Sequence, residues 1–207
     1  MSKEVILNKL RTALKVNPLT HEKGKYENIL QPVESDPVKE YVRGQIANRS
    51  EVIECSKEEV VSKINEILKQ ENVDKVLTQT SLSEMDIACE KVLYNKPMEE
   101  MKDTLFTIDA AVLEADYGIS NLGIIALKSS VDKPRLLSLI TRCNIILLKK
   151  ENIKGTLADA LNDVKAKHPD KLPTNILFIA GPSRTADIEF QVVFGVHGPQ
   201  KVYIILY

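Results

Sequence analysis

Apolar residues in the first fifty positions recur at helical spacing in two short segments. The first segment predicts an amphipathic helix, because its apolar side chains are spaced i, i+4 and i+8: Ile6, Leu10 and Leu14. The second predicts another short helix from a similar set of positions: Val38, Tyr41, Val42 and Ile46. Between them, residues 17–37 carry three prolines and little periodicity, which is typical of an exposed connector. We therefore expect residues 1–50 to form a helical N-terminal arm and connector.

From Glu51 onward the pattern changes to short apolar strands that alternate with amphipathic helices. Two helices begin with capping-box spacing, at Ser56 with Glu59 and at Thr156 with Asp159. The predicted strands suit a sheet that is buried on both faces: residues 52–55, 73–77, 110–113, 123–127, 144–148, 175–180 and 202–206. Alternation of strand and helix implies parallel pairing with crossover connections. Residues 51–207 are therefore predicted to form an α/β domain with a Rossmann-like, mostly parallel sheet and helices on both faces.

Charge and composition exclude several classes of protein. The 28 basic and 29 acidic residues give a formal net charge of −1, so no overall field attracts nucleic acid. No segment approaches the roughly 20 apolar residues of a membrane span, and the N-terminus lacks the apolar run of a signal peptide. The three cysteines lie far apart, which is typical of reduced cytosolic thiols. We expect a cytoplasmic protein with no nucleic-acid or membrane partner.

Two loops that follow predicted strands have the character of a ligand site. In open α/β sheets, ligands bind beyond the carboxyl ends of the strands, where loops lead into helices with exposed N–H groups. Loop 114–123 contains two glycines, and loop 181–185 combines a glycine and two hydroxyls with an arginine suited to carboxylate or phosphate. The alternative is an ordinary turn with a surface arginine. We predict that a small anionic metabolite binds here, through Gly181, Ser183, Arg184, Thr185, Asn121 and Gly123.

Residues 185–194 fit both a strand period and a helical period. A helix is the preferred interpretation, because Thr185 can begin it and Gly195 can end it. Asp187 would then lie in the first turn, where the helix dipole favours a carboxylate. His197 lies in a glycine-flanked turn and is either an acid or base near neutral pH or a residue that fixes the turn. Asp187 and His197 are accordingly the candidate catalytic residues.

Three carboxylates near the first loop leave two interpretations open. Asp109, Glu114 and Asp116 could recruit a divalent cation, or they could be ordinary strand-edge and turn residues. We assign no metal to them, and the sequence names no cofactor.

The chain resembles a known family in its last third. The run from Gly181 to Glu189, the turn from Gly195 to Pro199 and the terminal apolar strand resemble the signature of the lactate-utilisation protein C (LutC/YkgG) family, which carries the LUD domain. Segments 115–119 and 134–139 also look like the family pattern, so the resemblance covers roughly residues 51–207. It implies a fold similar to the sugar-phosphate isomerase and CoA-transferase superfamily (NagB/RpiA/CoA-transferase-like). It also implies an accessory or ligand-binding part in oxidising L-lactate to pyruvate, alongside iron–sulfur redox partner proteins.

The chain departs from the family pattern in one place. Members read Ile-Ala-Glu-Thr-Gly where this chain has Ile119-Ser120-Asn121-Leu122-Gly123, so an acid and a hydroxyl are missing. Two other functions therefore stay open. The chain could be a stand-alone isomerase or ligase acting on a phosphorylated or CoA-linked small molecule, with His197 or Asp187 as acid or base. It could also be a divergent protein-interaction module.

Overall fold

The chain divides into two compact units, Met1–Gln31 and Pro32–Tyr207. The structure is a computed structural model that describes residues 3–16, 32, 34–185 and 192–207. In the first unit it describes one helix, α1 (Lys3–Val16), where the apolar spacing predicts one. The side chains of Leu10 and Leu14 on this helix are exposed. Most of the predicted connector lies outside the described residues.

The larger unit contains four further helices and twelve strands among the described residues. The helices are α2 (Pro37–Ala47), α3 (Val60–Gln70), α4 (Met98–Leu105) and α5 (Leu157–Lys167). The strands are β1 (Glu51–Glu54), β2 (Lys75–Thr78), β3 (Glu90–Leu93), β4 (Ala110–Glu114), β5 (Tyr117–Ile119), β6 (Ile124–Lys128), β7 (Cys143–Leu148), β8 (Ile153–Lys154), β9 (Ile176–Ile179), β10 (Arg184–Thr185), β11 (Val193–Phe194) and β12 (Lys201–Leu206). In the described part of the chain, no helix is both long enough and apolar enough to span a bilayer.

Both predicted capping boxes are present. The carboxylate of Glu59 accepts a hydrogen bond from the backbone N–H of Ser56 at 2.9 Å, ahead of α3. The carboxylate of Asp159 accepts from the backbone N–H of Thr156 at 2.9 Å, and the Thr156 hydroxyl accepts from that of Asp159 at 3.2 Å. These bonds satisfy N–H groups that a helix start leaves without partners: the Thr156 box caps α5, and the Ser56 box caps the 3-10 turn Lys57–Glu59 that leads into α3.

The predicted α/β class with a mostly parallel sheet is confirmed. Six strands form a fully parallel sheet in the order β1-β12-β7-β4-β2-β3. A second sheet has the order β8-β5-β6-β9, in which β6 pairs antiparallel with both neighbours. The predicted strands at 123–127 and 175–180 therefore belong to this second sheet, and their assignment to a single parallel sheet is wrong. Short strands that are buried by a neighbouring sheet carry the same apolar signal as parallel ones.

Alternate residues of the parallel sheet pack against different layers. In β7, Ile146 and Leu148 face α2, α4 and the second sheet, whereas Ile145 and Leu147 face α3. Helix α5 covers the outer face of the second sheet, where Val164 packs against Tyr117. Because a strand points successive side chains to opposite faces, a strand that is apolar throughout must be packed against other elements on both faces of the sheet.

The end of α2 makes a close backbone contact with the turn that precedes β6. A Cβ built on Gly123, which has a φ of +57°, would lie 2.2 Å from the carbonyl carbon of Gly44 in α2. Glycines at both positions let the turn 120–123 approach the helix. Helix α2 was predicted as part of the arm, but Tyr41 on it is fully buried within the larger unit.

A buried ion network lies at the amino edge of the parallel sheet. Glu71, which follows α3, accepts hydrogen bonds from the Lys201 ammonium and the Tyr203 hydroxyl, each at 2.7 Å. Arg142 donates to its other oxygen at 3.2 Å. Burial alone would raise the pKa of Glu71, but these donors hold it below its ordinary value. The carboxylate is thus charged and fully bonded in the folded chain.

We expect Gly123→Ala to lower the free energy of unfolding by about 3 kcal/mol or more, because the added Cβ both overlaps α2 and disfavours the positive φ. Chemical denaturation would measure the loss. Gly155→Ala is the matched control, since its Cβ would meet only the Asp159 carboxylate at 3.4 Å. An equal loss in both variants would contradict the proposed close contact.

Glu71→Gln should destabilise the protein by roughly 3 kcal/mol at pH 7, because Lys201 and Arg142 lose a buried counter-charge. Because the pKa of Glu71 is lower in the folded chain than in the unfolded chain, its charge stabilises the fold at any pH above the unfolded pKa, about 4.3. This stabilisation is lost as the pH falls through the pKa of the folded chain. The difference from the parent chain should therefore shrink below about pH 4. Denaturation at several pH values measures it, with exposed Glu66→Gln as the control. A difference that does not change with pH would argue against a charged Glu71.

Candidate functional site

A cleft with two connected lobes lies at the carboxyl edge of the parallel sheet. The large lobe has a volume of about 880 Å³ and is bordered by residues that follow β2 and β4, by loop 128–135 and by loop 168–174. The small lobe, of about 230 Å³, extends toward the ends of β7 and α5. Four residues line both lobes: Glu114, Asp116, Lys128 and Lys133. Parallel strands bring their carboxyl ends to one edge, and this edge is where α/β sheets bind ligands.

Gln79 fixes the floor of the large lobe. It directly follows β2, and only 1% of its surface is exposed. Its side-chain oxygen accepts from the backbone N–H of Glu114 at 2.9 Å, and its amide nitrogen donates to the Ser81 hydroxyl at 2.6 Å. The same nitrogen lies 3.3 Å from the Glu114 carboxylate. One amide therefore ties the ends of two neighbouring strands and orients a carboxylate into the cleft.

Asp116 holds two lysines at the junction of the lobes. Its carboxylate lies 3.0 Å from the Lys133 ammonium and 3.5 Å from that of Lys128, and it accepts the backbone N–H of Lys128 at 2.7 Å. All three side chains are largely buried, with 13–20% exposed. Each ammonium has three donors, so both lysines keep hydrogen-bonding capacity for a ligand.

Tyr117 forms the inner wall of the small lobe beneath a set of lysines. The ammonium groups of Lys128, Lys154 and Lys167 lie 5.9, 5.7 and 5.4 Å from its ring centroid, within cation–π range. Lys167 also donates to the Tyr117 hydroxyl at 3.3 Å. Burial, and a hydrogen bond with Asp163, raise the pKa of Tyr117, so the hydroxyl stays protonated.

Asp163 on α5 orients Lys167 toward the small lobe. The Lys167 ammonium lies 2.9 Å from the Asp163 carboxylate. Hydrogen bonds from the Tyr117 hydroxyl and from Lys167 lower the pKa of Asp163 to about 2. Asp163 therefore remains an anion at neutral pH and keeps Lys167 beside Tyr117.

The cleft also contains three basic side chains without an ion-pair partner among the described residues. Arg135 and Lys171 border the large lobe, and Lys149 borders the small one. The lobes together contain more basic than acidic side chains, so the cleft is suited to an anion. Among the described residues, no group of three or more histidine, cysteine or acidic side chains is placed to hold a metal ion.

The structure separates the three carboxylates that were considered together from sequence. Glu114 and Asp116 border the cleft. Asp109 precedes β4 and lies beside Arg142 at 3.8 Å, at the opposite edge of the sheet. Five residues of strand span about 17 Å, so Asp109 cannot share a cation with the other two.

The predicted ligand glycines pack against α2. The side-chain amide of Asn48, just after α2, donates to the carbonyls of Leu122 and Gly123 at 3.0 and 2.7 Å. A Cβ on Gly181, whose φ is +75°, would lie 1.9 Å from the Asn48 carbonyl oxygen. Both predicted loops therefore meet at Asn48. The close approach that these glycines permit is made by the end of α2 in the folded chain. Ligand binding at Gly181, Ser183, Thr185, Asn121 and Gly123 stays a prediction.

The predicted helix after Thr185 is wrong at both of its described ends. Arg184 and Thr185 pair antiparallel with Val193 and Phe194 as a hairpin, β10-β11. The backbone N–H of Ser183 donates to the Pro199 carbonyl at 2.8 Å. Pairing between the two strands therefore determines the structure here, although the local sequence favours a helix cap. Neither Ser183 nor Thr185 caps a helix in the described part of this segment. Asp187 lies outside the described residues, so its proposed role stays a prediction.

Arg184 in β10 and His197 in the turn after β11 are both exposed. The Arg184 guanidinium donates to the Ala180 carbonyl at 3.2 Å. The His197 imidazole has no hydrogen-bond partner within the described residues, and neither side chain lines the cleft. Binding or catalysis at these two residues stays a prediction.

Asn121 lies in the turn between β5 and β6. Its backbone N–H donates to the Gly155 carbonyl at 3.2 Å, while its side-chain oxygen is buried without a hydrogen-bond partner among the described residues. Leu122 packs against the apolar residues between the second sheet and α5. The departure from the family pattern is thus accommodated inside the fold, away from the cleft.

The cleft residues that sequence reasoning missed are chiefly Gln79 and four lysines: Lys128, Lys133, Lys149 and Lys167. Three of the five directly end or follow strands, which is the signal that could have found them. Lys133 and Lys167 carried no local signal, because a loop and a helix end bring them to the cleft.

The fold and the cleft define this chain as a two-sheet α/β domain with a basic cleft at the carboxyl edge of its parallel sheet. The profile of the LUD domain family matches residues 38–207, and the chain belongs to that family. The match begins within α2, which agrees with the packing of this helix in the larger unit. The resemblance seen in the sequence is thereby confirmed.

Similar proteins are known from several bacteria. The chain is 40% identical to YkgG of Escherichia coli over 99 residues, which are 46% of this chain and 42% of that protein. It is 35% identical to lactate utilization protein C of Halalkalibacterium halodurans over 101 residues, 47% of this chain and 44% of that one. An uncharacterized Neisseria meningitidis protein is 31% identical over 130 residues, 62% and 54% of the two chains. The chain thus spans about half the length of the curated relatives it matches.

A crystal structure has a similar fold. It is that of a DUF162 family protein from Deinococcus radiodurans, with a TM-score of 0.65 and 19% identity, covering 82% of this chain and 95% of that one. At this identity the likeness supports the fold alone.

Proposed function

We propose that this chain is a ligand-binding component of lactate utilisation that holds a small anionic metabolite in its cleft. The observation that carries the proposal is the set of basic side chains around a cavity of about 880 Å³ at the carboxyl edge of the sheet. L-lactate and pyruvate are small carboxylates, and charged donors without ion-pair partners suit them. The similarity to lactate utilization protein C of other bacteria supplies the link to lactate.

Arg135 is the side chain best suited to hold the carboxylate. It borders the large lobe, is exposed, and has no ion-pair partner among the described residues. Its planar group can donate two parallel hydrogen bonds to a carboxylate. Val131 and Leu172 lie on the same lobe and offer apolar surface to the carbon skeleton of the ligand.

The oxidation of lactate would then take place on partner proteins. Iron–sulfur clusters need four closely placed ligands, usually cysteines, and this chain has Cys55, Cys89 and Cys143, with Cys143 buried. We propose iron–sulfur oxidoreductase subunits as the partners. Their contact is proposed at the β10-β11 hairpin, where Phe194 and Val196 are 37% and 43% exposed beside Arg184 and His197.

We expect Arg135→Ala to weaken the binding of L-lactate or pyruvate about tenfold, because a charged hydrogen bond is lost. Isothermal titration calorimetry measures the affinity. Lys57→Ala removes an exposed charge outside the cleft and should change nothing. Equal affinity of the Arg135 variant and the parent chain would contradict the site, and turnover of lactate by the purified chain alone would contradict the accessory role.

Phe194→Asp should abolish co-purification with the iron–sulfur subunits of the same organism's lactate system, because it places a charge in the proposed apolar contact. Phe106→Asp is the matched control, since Phe106 is 64% exposed after α4, outside the hairpin. Co-elution on size-exclusion chromatography is the measurement. If the Phe194 variant still forms the complex, the proposed contact at the hairpin is wrong.

A further inference from the structure

The small lobe has an excess of positive charge that a carboxylate would not balance. Four lysine side chains line it, against the carboxylates of Glu114 and Asp116: Lys128, Lys133, Lys149 and Lys167. Behind this lining, Asp163 lies 2.9 Å from Lys167 and 3.9 Å from Lys154, so Asp163 and Lys154 add one charge of each sign. The side-chain charges therefore exceed neutrality by two. A carboxylate supplies one negative charge, whereas a phosphate monoester supplies about 1.5 to 2 at pH 7.

Three of the four lysines of the small lobe are held in place before any ligand arrives. Asp116 fixes Lys128 and Lys133, whose side chains are 20% and 13% exposed. Asp163 and the Tyr117 hydroxyl fix Lys167. Because these ammonium groups are already ordered, little conformational entropy is lost when an anion binds between them.

Lys149 differs from the other three. It follows β7 directly and borders the small lobe, yet its ammonium group has no ion-pair or hydrogen-bond partner among the described residues. Lys150, the next residue, pairs with Glu54 at 3.1 Å instead. Lys149 is therefore free to close on a ligand, and its removal breaks no contact of the fold.

The two lobes together suit a molecule with two chemically different ends. The small lobe, of about 230 Å³, is lined mainly by charged and hydroxyl side chains. The large lobe adds Val131, Pro134 and Leu172 to its polar wall. They meet at Asp116, Lys128 and Lys133, so one ligand can occupy both.

We propose that the small lobe binds the phosphate group of a phosphorylated small molecule, with its organic part in the large lobe. This inference rests on the proposed function in placing the ligand in the cleft, but it changes the ligand class from a simple carboxylate to a phosphate ester. Lys149 and Lys167 bind the phosphate oxygens, and Lys128 and Lys133 bind at the junction.

The experiment is calorimetry of the full chain with three probes: L-lactate, its O-phosphate ester and inorganic phosphate. The ester is expected to bind at least tenfold more tightly than lactate. Lys149→Ala and Lys167→Ala should each weaken ester and phosphate binding about tenfold while leaving lactate binding unchanged. Lys165→Ala, an exposed change on the same helix as Lys167, is the matched control.

The outcomes separate this inference from the proposed function. If lactate binds through Arg135 and the ester binds no more tightly, the phosphate lobe is refuted and the proposed function stands. If phosphate and the ester bind through Lys149 while lactate and pyruvate do not bind, the phosphate lobe stands and the carboxylate ligand is refuted. If none of the probes binds, both are refuted.

Discussion

Parallel pairing of β4 with β2 and β7 is the constraint on which the cleft depends. The register sets Thr78 beside Val112 and Glu114 beside Leu147, so the three strands end at nearly the same level. Gln79 and Lys149, which follow two of these ends, are thereby brought to one edge although about seventy residues separate them. Antiparallel pairing of any one strand would send its final residue to the edge where Glu71 lies.

The second sheet supplies Tyr117 and Lys128, which complete the wall of the cleft. Its strands β5 and β6 pair antiparallel, which places Tyr117 opposite Ala126 and brings Lys128 back to the cleft. Asp116, in the short link from β4 to β5, then reaches both Lys128 and Lys133. The cleft is thus a product of two sheets joined by two residues. The electrostatics follow from this geometry, because one buried carboxylate holds two cations that would otherwise repel each other.

Local signals in the sequence were reliable where the structure depends on local interactions. The capping boxes at Ser56 and Thr156 and the apolar faces of α2 and α3 were all found from spacing. The spacing does not predict β3, because its charged residues give no clear period. The spacing favours a helix where β10 and β11 form a hairpin, because the residues of one strand do not show which strand they pair with. Which sheet a strand joins also depends on distant partners, so β6 and β9 were misplaced.

The site was harder to predict than the fold, for two physical reasons. Glycine permits close approach of any group, and only the folded chain shows that Asn48, just after α2, lies against the turns of Gly123 and Gly181. Basic side chains are common on protein surfaces, and the 28 lysines and arginines of this chain do not by themselves mark a site. Lys149 and Lys167 become candidates for ligand binding only when the folded chain shows that both line the small lobe. The cleft lies at the carboxyl edge, where open α/β sheets bind ligands, but its residues come from four different segments.

The meeting of two turns at the end of α2 has a consequence for how this chain can vary in length. Asn48 fits the turn before β6 and the turn after β9 at the same time, so an added residue in either would displace the other through the shared helix end. Descendants of this sequence should therefore keep the length of both turns, because a change in either would disturb the helix end that joins them.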